Sequence, residues 1–302
     1  MAGTDRKIVV DAAVGTLAFT SDSRHLVGQC RDNKLRVWDP RTGEQKRVMD
    51  FDKGDSAVSL PSVADQVALI AGNGDIKVRS IDSGKVLREF AGPKKRPGRL
   101  SLSKDRQLVA ANSLTGNEDV VRVWDAAGKE RFTVPAGIGG TSTLAFSPDG
   151  NFLVAGSYDT NLRAWSARNG ELQRLVEEIT VSMFAMTFSP DGKILAAAGA
   201  DSIVYLLDAK TWKIQRKIEG QPEMISAMAF SDDGKMLITG GFNVITQQKP
   251  VSLILWDVAS GKQLRSMPAP SRVGTVAISP DNQLAASASL DKSISVWALP
   301  AR

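Results

Sequence analysis

Cysteine and histidine are almost absent from this sequence of 302 residues, which contains only Cys30 and His25. One cysteine cannot form an intramolecular disulfide, so a small secreted scaffold held together by disulfides is excluded. One residue of each kind also cannot supply the His and Cys ligands of a tetrahedral zinc site. Because any Ser-His-Asp or Cys-His arrangement would depend on His25 alone, we expect no enzyme activity, no cofactor and no metal site.

Long apolar runs and a strong charge of one sign are missing as well. No apolar run approaches the roughly 18 residues that a membrane helix needs, and Asp11 interrupts the short apolar stretch near the N-terminus. We therefore expect no membrane span and a cytoplasmic location. Lys and Arg outnumber Asp and Glu by 38 to 33, a small surplus for this length, and no basic stripe with interleaved aromatic residues is present. Nucleic-acid binding is therefore not favoured.

Sequence signals for phosphate or cation sites are weak. The glycine-containing segment 71–75 lies between predicted strands, and no helix follows it whose N-terminus would receive a phosphate. Aspartates recur along the chain, mostly within turn sequences. A calcium or magnesium site built only from carboxylates stays open, although turn formation explains these aspartates better.

A regular repeat is the strongest pattern in the chain. A residue that is usually Trp recurs at intervals of 43, 43, 41, 42, 49 and 41, at Trp38, Ile81, Trp124, Trp165, Leu207, Trp256 and Trp297. A period in this range indicates units that bury their flanks against neighbouring units. The 38 residues up to Trp38 and the 5 residues after Trp297 make one further period. The series therefore predicts a closed ring of seven units, and neither end resembles the polar cap of an open solenoid.

Each unit is predicted to consist of strands. Short segments such as 144–147, 152–156 and 162–165 are rich in apolar residues and are separated by turn sequences. The turn Ser147-Pro148-Asp149-Gly150 recurs with small changes in three later units, and a turn ending in Gly follows the third strand in four units. Both sequences favour tight hairpins. Three hairpins per unit give a four-stranded antiparallel sheet, so we expect residues 1–302 to form one all-β domain of seven sheets.

These motifs together resemble those of the WD-repeat (tryptophan-aspartate repeat) β-propeller family. The resemblance rests on Phe-Ser-Pro-Asp-Gly, then Ser-x-Asp, then Trp-Asp followed by a turn that ends in Gly. It covers essentially the whole chain and implies a seven-bladed β-propeller. The ending from Val296 to Pro300 is similar to that of many bacterial repeat proteins, so we expect a bacterial origin. A module of a longer protein is the alternative to a complete domain.

The resemblance also implies a buried hydrogen-bond network within each blade. In the family, a second-strand Ser, an Asp in the next turn and the third-strand Trp cooperate with a His. The matching residues in blades one, four and seven are Asp32 and Trp38, with Cys30 at the Ser position, then Ser157, Asp159 and Trp165, then Ser289, Asp291 and Trp297. No blade has the family's Gly-His pair before its first strand, and Ile81 and Leu207 replace two Trp residues. We therefore expect truncated networks and more stabilisation from packing between blades.

The family resemblance further implies how the ring closes. In such rings the last blade takes its outer strand from the opposite end of the chain. The apolar segment 7–10 is available for this pairing, which would also remove an exposed strand edge.

Departures from the regular repeat indicate a binding site. The distance from the first-strand apolar residue to the third-strand Trp position is 19 residues in four units, but 22 in blade three and 26 in blade six. Both insertions follow the second strand, within 114–119 and 242–250. In the family's topology these loops share one rim with the blade-to-blade connections, including the basic connection 92–98. The resemblance therefore implies a partner-binding rim, although surface insertions also drift without function.

The candidate partner-binding residues on this rim are basic, polar or aromatic. They are Lys94, Lys95, Arg96, Arg99, Asn117, Glu118, Tyr158, Phe184, Phe242, Gln247, Gln248, Lys249 and Arg272, with Met183 as a further apolar candidate. The alternative is a solvated basic loop and aromatic residues that pack beneath other loops.

The function that we expect is that of a non-catalytic scaffold, either a monomeric domain or a module of a larger assembly. Loop aromatics would bind a protein or peptide partner, and the basic residues would steer an acidic one. Two other classes stay open. One is the binding of a nucleic acid or another phosphate-bearing ligand at the basic cluster. The other is a hydrolase or lyase-type propeller, although His25 is expected on the rim opposite the two insertions.

Overall fold

A computed structural model describes residues 6–52, 55–60, 65–93, 97–115, 118–137, 139–243 and 251–300. These residues form 28 strands and no helix. The strands make seven sheets, each of four antiparallel strands in sequence order except the last. The expected seven-bladed, all-β propeller is therefore confirmed. Since the described residues contain no helix, none of them forms an apolar helix long enough to cross a membrane.

The strands are numbered along the chain, beginning with β1 (Arg6–Val9). Blade one consists of β2 (Val14–Phe19), β3 (Leu26–Cys30), β4 (Lys34–Trp38) and β5 (Gln45–Asp50). Blade two consists of β6 (Ser56–Ser59), β7 (Gln66–Ile70), β8 (Ile76–Ser80) and β9 (Val86–Phe90). Blade three consists of β10 (Pro97–Leu102), β11 (Leu108–Thr115), β12 (Glu118–Asp125) and β13 (Glu130–Gly137). Blade four consists of β14 (Thr141–Phe146), β15 (Phe152–Ser157), β16 (Leu162–Ser166) and β17 (Leu172–Val176).

The other three blades complete the ring. Blade five consists of β18 (Met183–Phe188), β19 (Ile194–Gly199), β20 (Val204–Asp208) and β21 (Ile214–Ile218). Blade six consists of β22 (Met224–Phe230), β23 (Met236–Phe242), β24 (Val251–Asp257) and β25 (Gln263–Ala269). Blade seven consists of β26 (Val273–Ile278), β27 (Leu284–Ser289) and β28 (Ser293–Ala298), with β1 paired to the outer side of β28. The expected closure by the N-terminal segment is therefore confirmed.

Packing between blades forms the core. The buried apolar residues fall into seven clusters, and each cluster joins two neighbouring blades. The repeating Trp position contributes to every one of them and packs against the preceding blade. Trp38, for example, lies in the cluster between blades seven and one, and Trp297 in the cluster between blades six and seven. The period of the sequence therefore equals the spacing of these interfaces along the chain, as expected for blades that stabilise one another.

The first hairpin turn uses side-chain hydrogen bonds in the way that its sequence predicts. In blade four the Ser147 hydroxyl donates to Asp149 over 2.5 Å and accepts from the backbone of Phe152 at 2.9 Å. Gly150 has a φ of 73°, a conformation that a residue without Cβ adopts at little cost. Blades three, five, six and seven repeat the Ser–Asp pair. These aspartates are therefore used in turns.

Arginines of the outer strands connect neighbouring blades, a role that the sequence did not reveal. Each of five outer strands sends a guanidinium to a backbone carbonyl of the next blade. The pairs are Arg47 with Ile81, Arg88 with Arg106, Arg216 with Ser260, Arg265 with Ala298 and Arg6 with Thr42, at 2.8 to 3.2 Å. Charged donors of this kind form the stronger hydrogen bonds in proteins. Five of the chain's basic residues therefore have a structural role between blades.

The glycine in the turn after the third strand also contacts the preceding blade. A Cβ built on Gly170 would lie 2.6 Å from the Phe132 ring of blade three, and Gly170 has a φ of 78°. Gly43, Gly84, Gly128 and Gly261 approach the preceding outer strand in the same manner. In this turn a glycine therefore allows both the backbone conformation and the contact between blades.

Gly170→Ala is expected to lower the free energy of unfolding by about 2 to 3 kcal/mol, since it adds left-handed backbone strain and a clash with Phe132. Gly150→Ala is the matched control. Its φ is similar, but nothing lies within 4 Å of the added Cβ, so only the backbone cost of about 1 kcal/mol should remain. Urea unfolding of both variants measures the difference. Equal losses would contradict a contribution from the contact between blades.

Candidate functional site

Four of the sequence-predicted rim residues come together in the structure. The Tyr158 and Phe184 ring centroids lie 6.3 Å apart, and those of Phe184 and Phe242 lie 5.7 Å apart. The Arg272 guanidinium lies over the Phe242 ring, 4.3 Å from its centroid. We call these four residues the aromatic strip. It runs across blades four, five and six to the connection that leads into blade seven.

All four residues lie on the rim that carries the loops between second and third strands and the blade-to-blade connections, here named the connection rim. Tyr158 follows β15, Phe242 ends β23, and Arg272 lies between β25 and β26. The distances between the ring centroids and the tilted orientations of the rings both favour aromatic contact. The Tyr158 side chain is 50% exposed, while Phe184 and Phe242 are partly buried. The strip therefore presents an apolar surface that solvent reaches.

A β-bulge places Phe184 on this rim. The inner strands β2, β14, β18, β22 and β26 each skip one residue in their pairing with the next strand. The skipped residues are Gly15, Ser142, Phe184, Ser226 and Gly274. Bulges re-aim a side chain and are common beside functional sites. Phe184 is therefore the one large side chain in a series of small ones.

Two glycines support the loop of Tyr158. The backbone N–H of Tyr158 donates to the Gly140 carbonyl at 3.1 Å. Gly139 and Gly140 have φ values of 88° and 107°, and Cβ atoms at these positions would lie 3.5 and 3.7 Å from the Tyr158 side chain. The connection between blades three and four therefore passes directly beside the ring and fixes its position.

The other candidates are placed differently. Met183 is fully buried between blades four and five, so the prediction that it contacts a partner at the surface is wrong. Arg99 lies on the inner strand β10 and is exposed, and its backbone N–H donates to the Asn112 side chain. Glu118 begins β12, but its side chain is not described. Seven candidates lie outside the described residues, namely Lys94, Lys95, Arg96, Asn117, Gln247, Gln248 and Lys249.

The residues assigned to the buried network are packed into the blades. Trp38, Trp165 and Trp297 are each 2% exposed. The Ser157 hydroxyl donates to the Gly140 carbonyl at 3.0 Å, and Ser289 is buried.

The three turn aspartates of this set form ion pairs. Asp32 pairs with Arg36 at 2.6 Å, Asp159 with Arg163 at 2.9 Å, and Asp291 with Lys7 at 3.3 Å. Hydrogen bonds from the Arg36 guanidinium lower the pKa of Asp32. These carboxylates are therefore already partnered within the blades.

Blade six contains a polar chain that sequence reasoning missed. The Trp256 indole N–H donates to the Thr239 hydroxyl at 2.9 Å, and that hydroxyl donates to the Gln221 side-chain carbonyl at 2.7 Å. The Gln221 amide in turn donates to the Ser252 carbonyl at 2.9 Å. Gly220-Gln221 stands before β22, where the family has Gly-His. The network of this blade is therefore not truncated, and the Gly-Gln pair was the signal.

Catalytic and metal-binding groups are scarce in the described part of the chain. Cys30 is fully buried, and burial raises the pKa of its thiol, which disfavours the reactive thiolate. His25 lies in the first hairpin of blade one, on the rim opposite the aromatic strip, and its backbone N–H donates to the Thr20 hydroxyl at 3.0 Å. No group of three or more His, Cys, Asp or Glu residues there is arranged to hold a metal ion.

Comparison with known proteins supports the architecture. Part of the chain is similar to autophagy-related protein 16 of Arabidopsis thaliana, with 26% identity over 181 residues, 59% of this chain and 34% of the relative. Human striatin-4 is 28% identical over 180 residues, 56% of this chain and 23% of the relative. Apoptotic protease-activating factor 1 of the rat is 24% identical over 183 residues, 56% of this chain and 13% of the relative.

The matched regions are therefore about a third or less of each relative. These relatives come from a plant, a human and a rat, and they lend no support to the expected bacterial origin. The model of the WD domain, G-beta repeat, matches residues 6–39, 133–166, 176–208, 212–243 and 261–298. Each segment begins in or just before the outer strand of one blade and continues into the inner strands of the next. Together the segments cover more than half of the chain, and the chain belongs to the WD-repeat family.

Proposed function

We propose that this propeller is a non-catalytic scaffold that binds a protein or peptide partner on the connection rim. The observation that carries the proposal is the aromatic strip, in which three rings from three blades form one continuous series. Aromatic and Arg side chains are enriched in the residues that dominate the binding energy of protein interfaces. WD-repeat propeller families, to which this chain belongs, are mostly non-catalytic scaffolds.

The arrangement of the strip fits such a role. The rings are held by the strands and by the Gly139-Gly140 connection. Their side chains would therefore lose little conformational entropy when a partner binds. Half of the Tyr158 side chain is available for contact, while Phe184 is fixed between the other two rings. The segment 244–250, beside Phe242 in sequence, stays a predicted part of this surface.

The expected acidic character of the partner rests on Lys94, Lys95, Arg96 and Arg99, of which only Arg99 is described. The alternative of a nucleic-acid or phosphate-bearing ligand depends on the same four residues. Nothing in the described rim favours that alternative over a protein partner, and both statements stay predictions.

A photo-crosslinking amino acid tests the proposed surface. Placed at Tyr158, it is expected to form a discrete adduct with one partner in an extract of the source cell. Leu172 is the matched control, because it lies in the same blade on the outer strand β17 and is 56% exposed. No adduct at position 158, or the same adducts at both positions, would contradict the proposal.

A further inference from the structure

Three segments of the connection rim around Phe184 and Phe242 are acidic. Residues 177–182 precede the strand of Phe184, residues 200–203 form the loop between β19 and β20, and residues 219–223 precede Met224, which pairs with Phe242. Together they carry five carboxylates, at Glu177, Glu178, Asp201, Glu219 and Glu223, and no Lys, Arg or His. This sector has the opposite sign to the chain as a whole.

These five carboxylates differ from the ion-paired turn aspartates of blades one, four and seven. Asp32, Asp159 and Asp291 each have a cationic partner within 4.0 Å, whereas none of the five forms an ion pair with a described residue. Asp201 accepts from the Tyr205 hydroxyl at 2.6 Å, and Glu223 accepts from Gln221 at 3.1 Å. Neutral donors fix these two groups but leave their negative charge uncompensated. A surface of this kind attracts cations and repels anions.

The strip already contains one contact between a cation and an aromatic ring. The Arg272 guanidinium lies 4.3 Å from the Phe242 centroid, within the range of a cation–π contact. Tyr158, at the other end of the strip, is half exposed and has no cation over its ring among the described residues. The open end of the strip therefore offers a ring of the same kind on the rim that carries the negative sector.

We propose that the partner docks through a basic peptide segment, in which an aromatic or aliphatic anchor contacts the strip and adjacent Lys or Arg side chains face the carboxylates. This inference rests on the proposed function, since it names the chemistry of the partner for the same surface. It differs from the acidic partner predicted from the basic connection 92–98, and the peptide selection described below decides between the two. The observations also disfavour nucleic acid as the occupant, because its phosphates would face like charges.

Selection from a random peptide library displayed on phage tests the inference and does not require the partner to be identified. Intact propeller is the target, and the enriched peptides are synthesised and titrated against Tyr158→Ala and the parent protein. We expect peptides with net positive charge, at least about tenfold weaker binding to Tyr158→Ala, and weaker binding at higher salt. No enrichment, or peptides indifferent to Tyr158→Ala, would overturn the proposed function and the inference together.

A second pair of variants isolates the charge. Glu177→Gln combined with Glu178→Gln should weaken the selected peptides about threefold to tenfold at low salt. Glu44→Gln combined with Glu171→Gln removes the same charge from exposed turns on the opposite rim and should leave binding unchanged. Enriched peptides that are neutral or acidic, yet still depend on Tyr158, would overturn the basic partner while the proposed surface stands. Equal losses in both double variants would also contradict a local charge effect.

Discussion

Ile8→Asp is expected to lower the midpoint of thermal unfolding by about 10 °C or more, or to make the protein aggregate. The substitution would place a carboxylate in the apolar cluster that joins blade seven to blade one, where Ile8 is 6% exposed. An unpaired buried charge of this kind costs several kcal/mol. Removal of residues 1–10 should have an effect at least as large, because it deletes β1 completely.

The size of this effect follows from where β1 lies. Its register pairs Arg6 with Val296 and Val9 with Ser293, so the two ends of the chain share one sheet. Beyond the sheet, the Arg6 guanidinium donates to the Thr42 carbonyl of blade one at 2.8 Å. Without β1, β28 would expose an unpaired edge and the cluster between blades seven and one would lose Ile8.

Val9→Asp is the matched control for this prediction. Val9 is the next residue of the same strand, but it is 80% exposed, so the same charge stays in water. We expect its melting curve to match that of the parent protein within about 2 °C. Similar losses in both variants would mean that general disturbance of the N-terminus, and not ring closure by Ile8, determines the stability.

The architecture was predictable from the sequence because one physical unit repeats along it. Each third-strand residue in the series packs into the equivalent interface between two neighbouring blades. The period of the series therefore gives the spacing of the blades directly. The Ser-Pro-Asp-Gly turns were equally clear, since their side-chain hydrogen bonds are local. Local sequence and overall fold agree in these elements, which is what makes them predictable.

Compensation between two irregular positions could not be predicted in this way. Leu207 stands where five of the other blades have Trp. The interface between blades four and five nevertheless gains Trp212, whose ring meets that of Phe152 edge-on, with 5.3 Å between the ring centroids. Trp212 also occupies the turn position that is Gly elsewhere and has a φ of 62°, an uncommon conformation for a bulky residue. Two irregular positions therefore explain each other, but only once the structure brings them together.

The site was only partly predictable for a similar reason. The sequence placed Tyr158, Phe184, Phe242 and Arg272 on one rim, but their contact depends on a bulge and on the curvature of three blades. The basic connection 92–98 also suggested an acidic partner. The structure instead assigns several arginines to contacts between blades and leaves an acidic sector beside the strip.

Phe184→Ser is expected to weaken partner binding at least about thirtyfold, the loss typical of a central hot spot. Phe184 is the middle ring of the strip, so its removal separates Tyr158 from Phe242 and leaves no continuous apolar surface. The measurement is the dissociation constant for the purified protein that is captured by a crosslinker at position 158. Leu172→Ser, an exposed apolar residue on the outer strand β17, is the binding control and should change it less than about twofold.

The fold should tolerate this change, which makes the test a specific one. Blades four and six have Ser142 and Ser226 at the same bulge position, so a serine suits the local backbone. Phe184 is partly exposed and lies outside the buried clusters, so we expect a loss of stability of about 1 kcal/mol or less. Near-parental melting with lost binding would thus assign recognition to the strip. Retained affinity in Phe184→Ser would instead place the partner on another part of the ring, whatever the exposure of Tyr158.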